Sequence, residues 1–245
     1  MIDFDGRKVL VVGGGSGIGA AAARIAAELG ARVVVADVDE SAEQVVAELG
    51  EQGTFVRCDA RDQSSTASAV AAAAHGSRLD GVLTTVGGAH LGSLEELDRE
   101  AWDAEIAFNL TSAYAVCHAA LPVLREQRGG AVVTTSSGYA LLPGADRPGY
   151  VAAKAGVIAF TRAFAATVAP YGARANCVAP GPTDTPRFRE MNGGDEGVER
   201  VRASMPLGEI PTPDDVARVA LFLLSDAARQ VTGQVVHVNG GLLMA

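Results

Sequence analysis

Lys8-Val9-Leu10-Val11-Val12-Gly13-Gly14-Gly15-Ser16-Gly17-Ile18-Gly19 is the stretch on which the fold turns. Four consecutive apolar residues bounded by glycines read as a short buried strand. The glycines read as a turn, and the Ala-rich run from Gly17 to Leu29 as a helix. A strand, a glycine turn and a helix start form the geometry that holds a pyrophosphate. Backbone amides point outward at the helix start, and missing Cβ atoms let the backbone approach the phosphates. Gly13, Gly15, Ser16, Gly17, Ile18 and Gly19 are the candidate contacts, Ser16 adding a hydroxyl. A tight turn without ligand is the alternative.

The same alternation runs on through the chain. Arg32 to Ala36, Thr54 to Cys58, Gly81 to Thr85, Ala131 to Ser136, Ala173 to Val178 and Val235 to Val238 read as strands. Glu40 to Leu49, Gln63 to Ala74, Ala101 to Gln127, Tyr150 to Ala169 and Asp214 to Leu224 read as helices. Strands alternating with helices make βαβ units, so the expected fold is α/β: a single-domain, doubly wound parallel sheet of Rossmann type with helices on both faces. The 245 residues suit one domain, 1–245. The irregular stretch from Pro186 to Pro206, with Gly193-Gly194 inside it, is expected to be a flexible substrate lid containing a broken helix.

Composition narrows the function. A net charge of −9 argues against a nucleic-acid partner, which needs clustered Lys and Arg. Cys58, Cys117 and Cys177 are odd in number and widely spaced, which reads as buried thiols in a reducing compartment. The four histidines lack metal-ligand spacing, so no metal is expected. No apolar signal region opens the chain and no apolar run reaches membrane-spanning length. A soluble cytoplasmic protein is the expectation.

Asp37 follows Val33-Val34-Val35-Ala36, at the end of the second strand and 20 residues after Gly17. A carboxylate there accepts hydrogen bonds from the adenosine ribose and repels a 2′-phosphate. No Arg or Lys stands in the glycine turn or at position 38, so the expected cofactor is NAD(H). Tyr150 and Lys154 lie four residues apart on a helix and so share a face. An adjacent ammonium lowers a phenol's pKa and makes it a general acid/base near neutral pH. Ser137 stands 13 residues before Tyr150, and Asn109 further back. Taken singly, each has a plainer reading: a solvated Tyr/Lys pair, a strand-end serine, with Ser136 adjacent, and a mid-helix asparagine.

Together these residues resemble the short-chain dehydrogenase/reductase family in its compact form, over nearly the whole chain. Gly13-x-x-x-Gly17-Ile18-Gly19 is similar to its nucleotide motif, with Val12 where threonine is common. The resemblance implies that Asp59, with Ala60, contacts the adenine ring, and that Asn109, Ser137, Tyr150 and Lys154 are the catalytic set. It implies that Pro180, Gly181, Thr183 and Thr185 hold the nicotinamide side, with Val86 and Gly87 lining the cofactor. Val231-Thr232-Gly233 through Asn239-Gly240-Gly241 resembles the family's C-terminal segment. Thr84-Thr85-Val86-Gly87 departs from the usual Asn-Asn-Ala-Gly; different hydrogen bonds are expected to give the same support. By this resemblance Tyr150 exchanges a proton with the substrate oxygen and Ser137 fixes that oxygen. Lys154 lowers the Tyr150 pKa and holds the nicotinamide ribose, and Asn109 holds a water that links Lys154 to solvent.

The expected activity is hydride transfer between NAD(H) and a small-molecule secondary alcohol or ketone. Tyr150 and Lys154 are too close for an enoyl reductase of the superfamily, and the chain is too short for a sugar-nucleotide epimerase. A nucleotide-binding regulatory or scaffold protein without turnover is the alternative, and a biosynthetic ketone reductase a third reading. Gly88 to His90, Gly138 to Leu142 and Arg187 to Met191 are the expected pocket walls. Arg187 and Arg189 could meet an acidic or thioester-linked substrate or simply be solvated. The resemblance implies a homotetramer, or a homodimer, packed through the long helices and last strand.

Overall fold

The protein is described here by a computed structural model covering residues 2–244. Its strands are β1 (Lys8–Val12), β2 (Arg32–Asp37), β3 (Gly53–Arg57), β4 (Gly81–Thr84), β5 (Ala131–Thr135), β6 (Arg174–Pro180) and β7 (Val235–Val238). All pair in parallel, in the order β3-β2-β1-β4-β5-β6-β7. The helices are α1 (Gly17–Glu28), α2 (Ala42–Leu49), α3 (Gln63–Ala74), α4 (Arg99–Ile106), α5 (Ser112–Gln127), α6 (Pro148–Val168), α7 (Pro186–Met191), α8 (Asp195–Ser204) and α9 (Pro213–Leu224).

Side chains along a strand alternate between faces, and β1 is covered on both. Val9 and Val11 join the core under α1 and α9, whereas Leu10 and Val12 join the core under α3, α5 and α6. All four are fully buried, each contributing about 1.5–3 kcal/mol. That double coverage is why the strand reads as an unbroken apolar run. Ala20 to Ala23, Ala26 and Ala27 are the small residues that bring α1 close to the sheet.

Connections leave β1 and β4 in opposite directions, and a crevice opens beyond the carboxyl ends of these adjacent strands. Four loops meet there: the glycine turn after β1, Thr85 to Gly88 after β4, Ser136-Ser137 after β5, and Gly181 to Thr185 after β6.

Two features differ from the sequence reading, one in the helix that carries Asn109 and one in two long apolar helices. The expected single helix from Ala101 to Gln127 is interrupted by a π-helical turn, Ala107–Thr111, which links α4 to α5 and carries Asn109. The stretch after Pro186 forms α7 and α8, separated at Gly193-Gly194, whose φ angles of 75° and 80° favour glycine. Two helical stretches, Arg99–Gln127 and Pro148–Tyr171, are long and apolar enough to cross a membrane, which the sequence reading missed. Both are core helices here, with Val116, Cys117, Val157 and Val168 packed inside the domain. All three cysteines are buried and free.

Candidate active site

Gly13 turns at φ 81°, and Cβ atoms placed on Gly13 or Gly19 would collide with the Thr85 hydroxyl. The loop is therefore pressed onto β4. The Thr85 hydroxyl donates to the Gly13 carbonyl at 2.9 Å and approaches the Val12 carbonyl at 3.2 Å. This is the different hydrogen bond expected where threonine replaces asparagine. Ser16 is the N-cap of α1 but gives no side-chain cap, and no acid stands in the first turn. The amides of Gly17, Ile18 and Gly19 therefore lack an intrahelical partner and form a positive end open to an anion. A dinucleotide's pyrophosphate fits this cradle.

Asp37 ends β2 beside the cradle. Its carboxylate accepts from the Gly15 amide at 2.9 Å and the Asp39 amide at 3.1 Å. Cys58, Asp59, Ala60, Val86 and Gly87 line the same cleft, placing the expected adenosine contacts together. Two cations line it as well, Arg61 and Arg187. Arg61 forms a fork with Asp59, at 2.9 and 2.7 Å, and this hydrogen bonding holds the Asp59 carboxyl below its usual range.

The second half of the crevice is a cavity of about 430 Å³, in the size range of small-molecule sites. Ser137, Tyr150, Lys154, Pro180, Gly181, Thr183 and Thr185 all line it. The adjacent serines separate by contact. Ser136 donates to the Lys154 carbonyl at 2.7 Å and ties β5 to α6. The Ser137 hydroxyl accepts from the Tyr139 amide at 3.2 Å and keeps its own proton to donate.

Lys154 is 3% exposed, and its ammonium donates to the Thr135 carbonyl at 2.9 Å. It lies 5.8 Å from the centre of the Tyr150 ring. Burial pulls its pKa down to about 8. The Tyr150 phenol is pushed up, first by burial; Ser137, then Arg147 and Arg187, pull against that, and Glu105 adds to the rise. The shared helix face holds, while the groups that pull the phenol down in this structure are Ser137 and the two arginines. The Thr135 hydroxyl, also in the cavity, is buried without a partner. A ribose hydroxyl suits such an orphan donor beside an ammonium with free hydrogens.

Asn109 is 1% exposed. Its side chain accepts from the Gly88 amide at 2.9 Å and donates to the Gly88 carbonyl at 3.1 Å. It also donates to the Glu105 carboxylate at 2.8 Å. A Cβ on Gly87 would come within 2.6 Å of both the Asn109 Oδ1 and the Lys154 Nζ. Asn109 and Lys154 thus converge on one backbone position.

Glu105 is a residue the sequence reading missed. Only 4% exposed, it accepts from the His90 amide at 2.7 Å and contacts its ring Nδ1 at 3.0 Å. A buried carboxylate needs such partners; these pin the loop after β4 to the Asn109 turn. The available signal was the four-residue spacing of Glu105 and Asn109. Arg147, just before α6, was also missed: it stacks over the Tyr139 ring at 4.3 Å and lines the cavity. Of the two lid arginines, Arg187 reaches the cavity, whereas Arg189 is bound to Asp184 and Asp195 within the lid.

An uncapped helix start, the Asp37 carboxylate and a Ser/Tyr/Lys cavity lie along one crevice, an arrangement suited to a nicotinamide-type oxidoreductase site. Comparison with known proteins agrees on the class. A family model described as Enoyl-(Acyl carrier protein) reductase matches residues 13–243. The cis-4-hydroxycyclohexanecarboxylate dehydrogenase of Sinomonas cyclohexanicum is 40% identical over 97% of both chains. The L-rhamnose 1-dehydrogenase (NAD(P)(+)) of Azotobacter vinelandii is 38% identical, again over 97% of both. The solved structure of a putative gluconate dehydrogenase from Agrobacterium tumefaciens superposes with a TM-score of 0.93 at 30% identity, covering 100% of this chain and 98% of that one. The chain belongs to the short-chain dehydrogenase/reductase family.

Proposed function

We propose that the protein is an NAD(H)-dependent oxidoreductase acting on a secondary alcohol or ketone. The bound nicotinamide supplies the hydride acceptor or donor. The single observation that supports this most is that Ser137, Tyr150 and Lys154 line one cavity next to the uncapped start of α1. Tyr150 exchanges the proton with the substrate oxygen, and Ser137 donates a hydrogen bond to that oxygen and sets its position. Lys154 holds the ribose hydroxyls and, as they take it off Thr135, brings positive charge toward the phenol. Asn109 steadies the Gly87-Gly88 backbone beside Lys154 and relays protons to solvent through a bound water.

NAD(H) over NADP(H) rests on the Asp37 carboxylate in the adenosine cleft, where Arg61 is paired with Asp59 and Arg187 is held on the Ala89 carbonyl. The relatives named above act on an alicyclic alcohol and a sugar, the second of them with NAD(P). A homotetramer in a thiol-reducing, cytoplasmic setting fits the partly exposed aromatic pair Tyr114 and Phe160 and the three buried thiols.

The test is reduced-nicotinamide absorbance with a panel of secondary alcohols and ketones, offered with NAD(H) and with NADP(H). The expected result is turnover of at least one pair with NAD(H) preferred. Cofactor binding with no turnover of any member would support a regulatory protein instead.

A further inference from the structure

We propose that the substrate carries a carboxylate, held by Arg147 and enclosed by Arg187. This rests on the reading of the cavity as the substrate site. The chain has 29 acidic and 20 basic residues, yet no Asp or Glu lines the 430 Å³ cavity among the described residues, while Arg147, Lys154 and Arg187 do. A site for a neutral alcohol has no need of such a field. Lys154 is engaged by the Thr135 carbonyl, which leaves the two arginines.

Arg147 is built as a fixed anion receptor. Its side chain is only 16% exposed, its Cζ lies 4.3 Å from the centre of the Tyr139 ring, and Asp146 takes Nε at 3.0 Å and Nη2 at 2.6 Å. The bidentate pair and the stacking lock the fork and leave Nη1 free. Asp146 does not line the cavity and its side chain is 58% exposed, so the group presented to the cavity is the guanidinium, its charge partly offset by this pairing. Arg147 is absent from the cleft lined by Asp37 and Asp59, so a cofactor phosphate there does not explain it, whereas Arg187 lines both that cleft and the cavity and makes the smaller contribution.

Arg187 lines the same cavity from near the start of α7. Its Nη2 donates to the Ala89 carbonyl at 2.8 Å, and no carboxylate pairs with it among the described residues. The lid is thereby hooked over the cavity by a neutral acceptor, an exchange that an incoming carboxylate would win because charged acceptors bind arginine more strongly. Leu91, Tyr139, Phe188 and Met191 add apolar surface to the cavity lining. The implied substrate has an apolar body with an acid group at one end and the secondary hydroxyl, or ketone, facing Tyr150.

The test reads binding rather than turnover. Affinities of hexanoate, benzoate and cyclohexanecarboxylate for the protein saturated with NAD are compared with those of the matching primary amides, by ligand-observed NMR. At least one acid is expected to bind about tenfold or more tighter than its amide. Arg147→Gln should erase that preference without changing NAD affinity, and Arg187→Gln should reduce it. Equal binding of acids and amides, no measurable binding of any acid, or a preference that survives Arg147→Gln would overturn the proposal. Carboxylate preference in a protein that transfers no hydride would fault the reaction proposed above and leave the receptor standing.

Discussion

Replacing Lys154 by Met should make the protein more stable near neutral pH while removing its activity. The buried ammonium has its pKa pulled from 10.5 to about 8 by desolvation. At about 1.4 kcal/mol per pH unit, holding that charge inside costs about 3 kcal/mol of stability. Met keeps the length and removes the charge, but it strands the Thr135 carbonyl, at about 1–3 kcal/mol. The net expectation is a gain of up to about 2 kcal/mol, or up to roughly 8 °C in the melting temperature of a chain this size.

The pH dependence has a definite sign. Because the folded-state pKa lies below that of the unfolded chain, the folded protein binds fewer protons between about pH 8 and 10.5. Wild-type stability therefore rises through that window relative to the mutant. The penalty is at full strength below about pH 8 and is gone above about pH 10.5. Urea unfolding of both proteins, without cofactor, at several pH values isolates the difference from other titrating groups. A mutant less stable than wild type at neutral pH, or a difference that does not move with pH, would refute the reasoning.

Two further expectations concern neighbouring carboxylates. Asp37→Ala should move the NAD-to-NADP preference toward NADP by about tenfold or more, because the charge that repels a 2′-phosphate is gone; cofactor titrations check this. Glu105→Gln should lower kcat about tenfold with NAD affinity retained, since Asn109 and the His90 loop lose a charged acceptor. It should also shift the pH–rate profile to lower pH, because the Glu105 charge raises both Lys154 and Tyr150. An unshifted profile would mean that Glu105 only braces the fold.

Much of this was legible in the sequence because its signals are local. The apolar run Val9 to Val12 and the glycines after it are a strand and a turn by their own chemistry, and Gln63–Ala74 and Val235–Val238 fall where expected. What escaped depends on distant partners. The π-helical turn at Asn109 exists because that side chain reaches back to Gly88, 21 residues away. The i,i+4 spacing put Tyr150 and Lys154 on one face, but a long lysine goes where a buried acceptor waits, here the Thr135 carbonyl. Arg147 acquires meaning only when α6 is laid beside Tyr139. Arg187 and Arg189, alike in sequence, part company because Asp184 and Asp195 flank only the second.

The claim at the centre is that the Tyr150 phenol carries the proton that accompanies hydride transfer. Tyr150→Phe removes one oxygen from a half-buried ring, so the fold and the cofactor cradle should survive. The most direct measurement is the rate of reduced-nicotinamide formation by this mutant, with NAD binding measured in the same sample. The expected result is a fall of about 100- to 10,000-fold with unchanged NAD affinity. A rate within about tenfold of wild type would contradict the account.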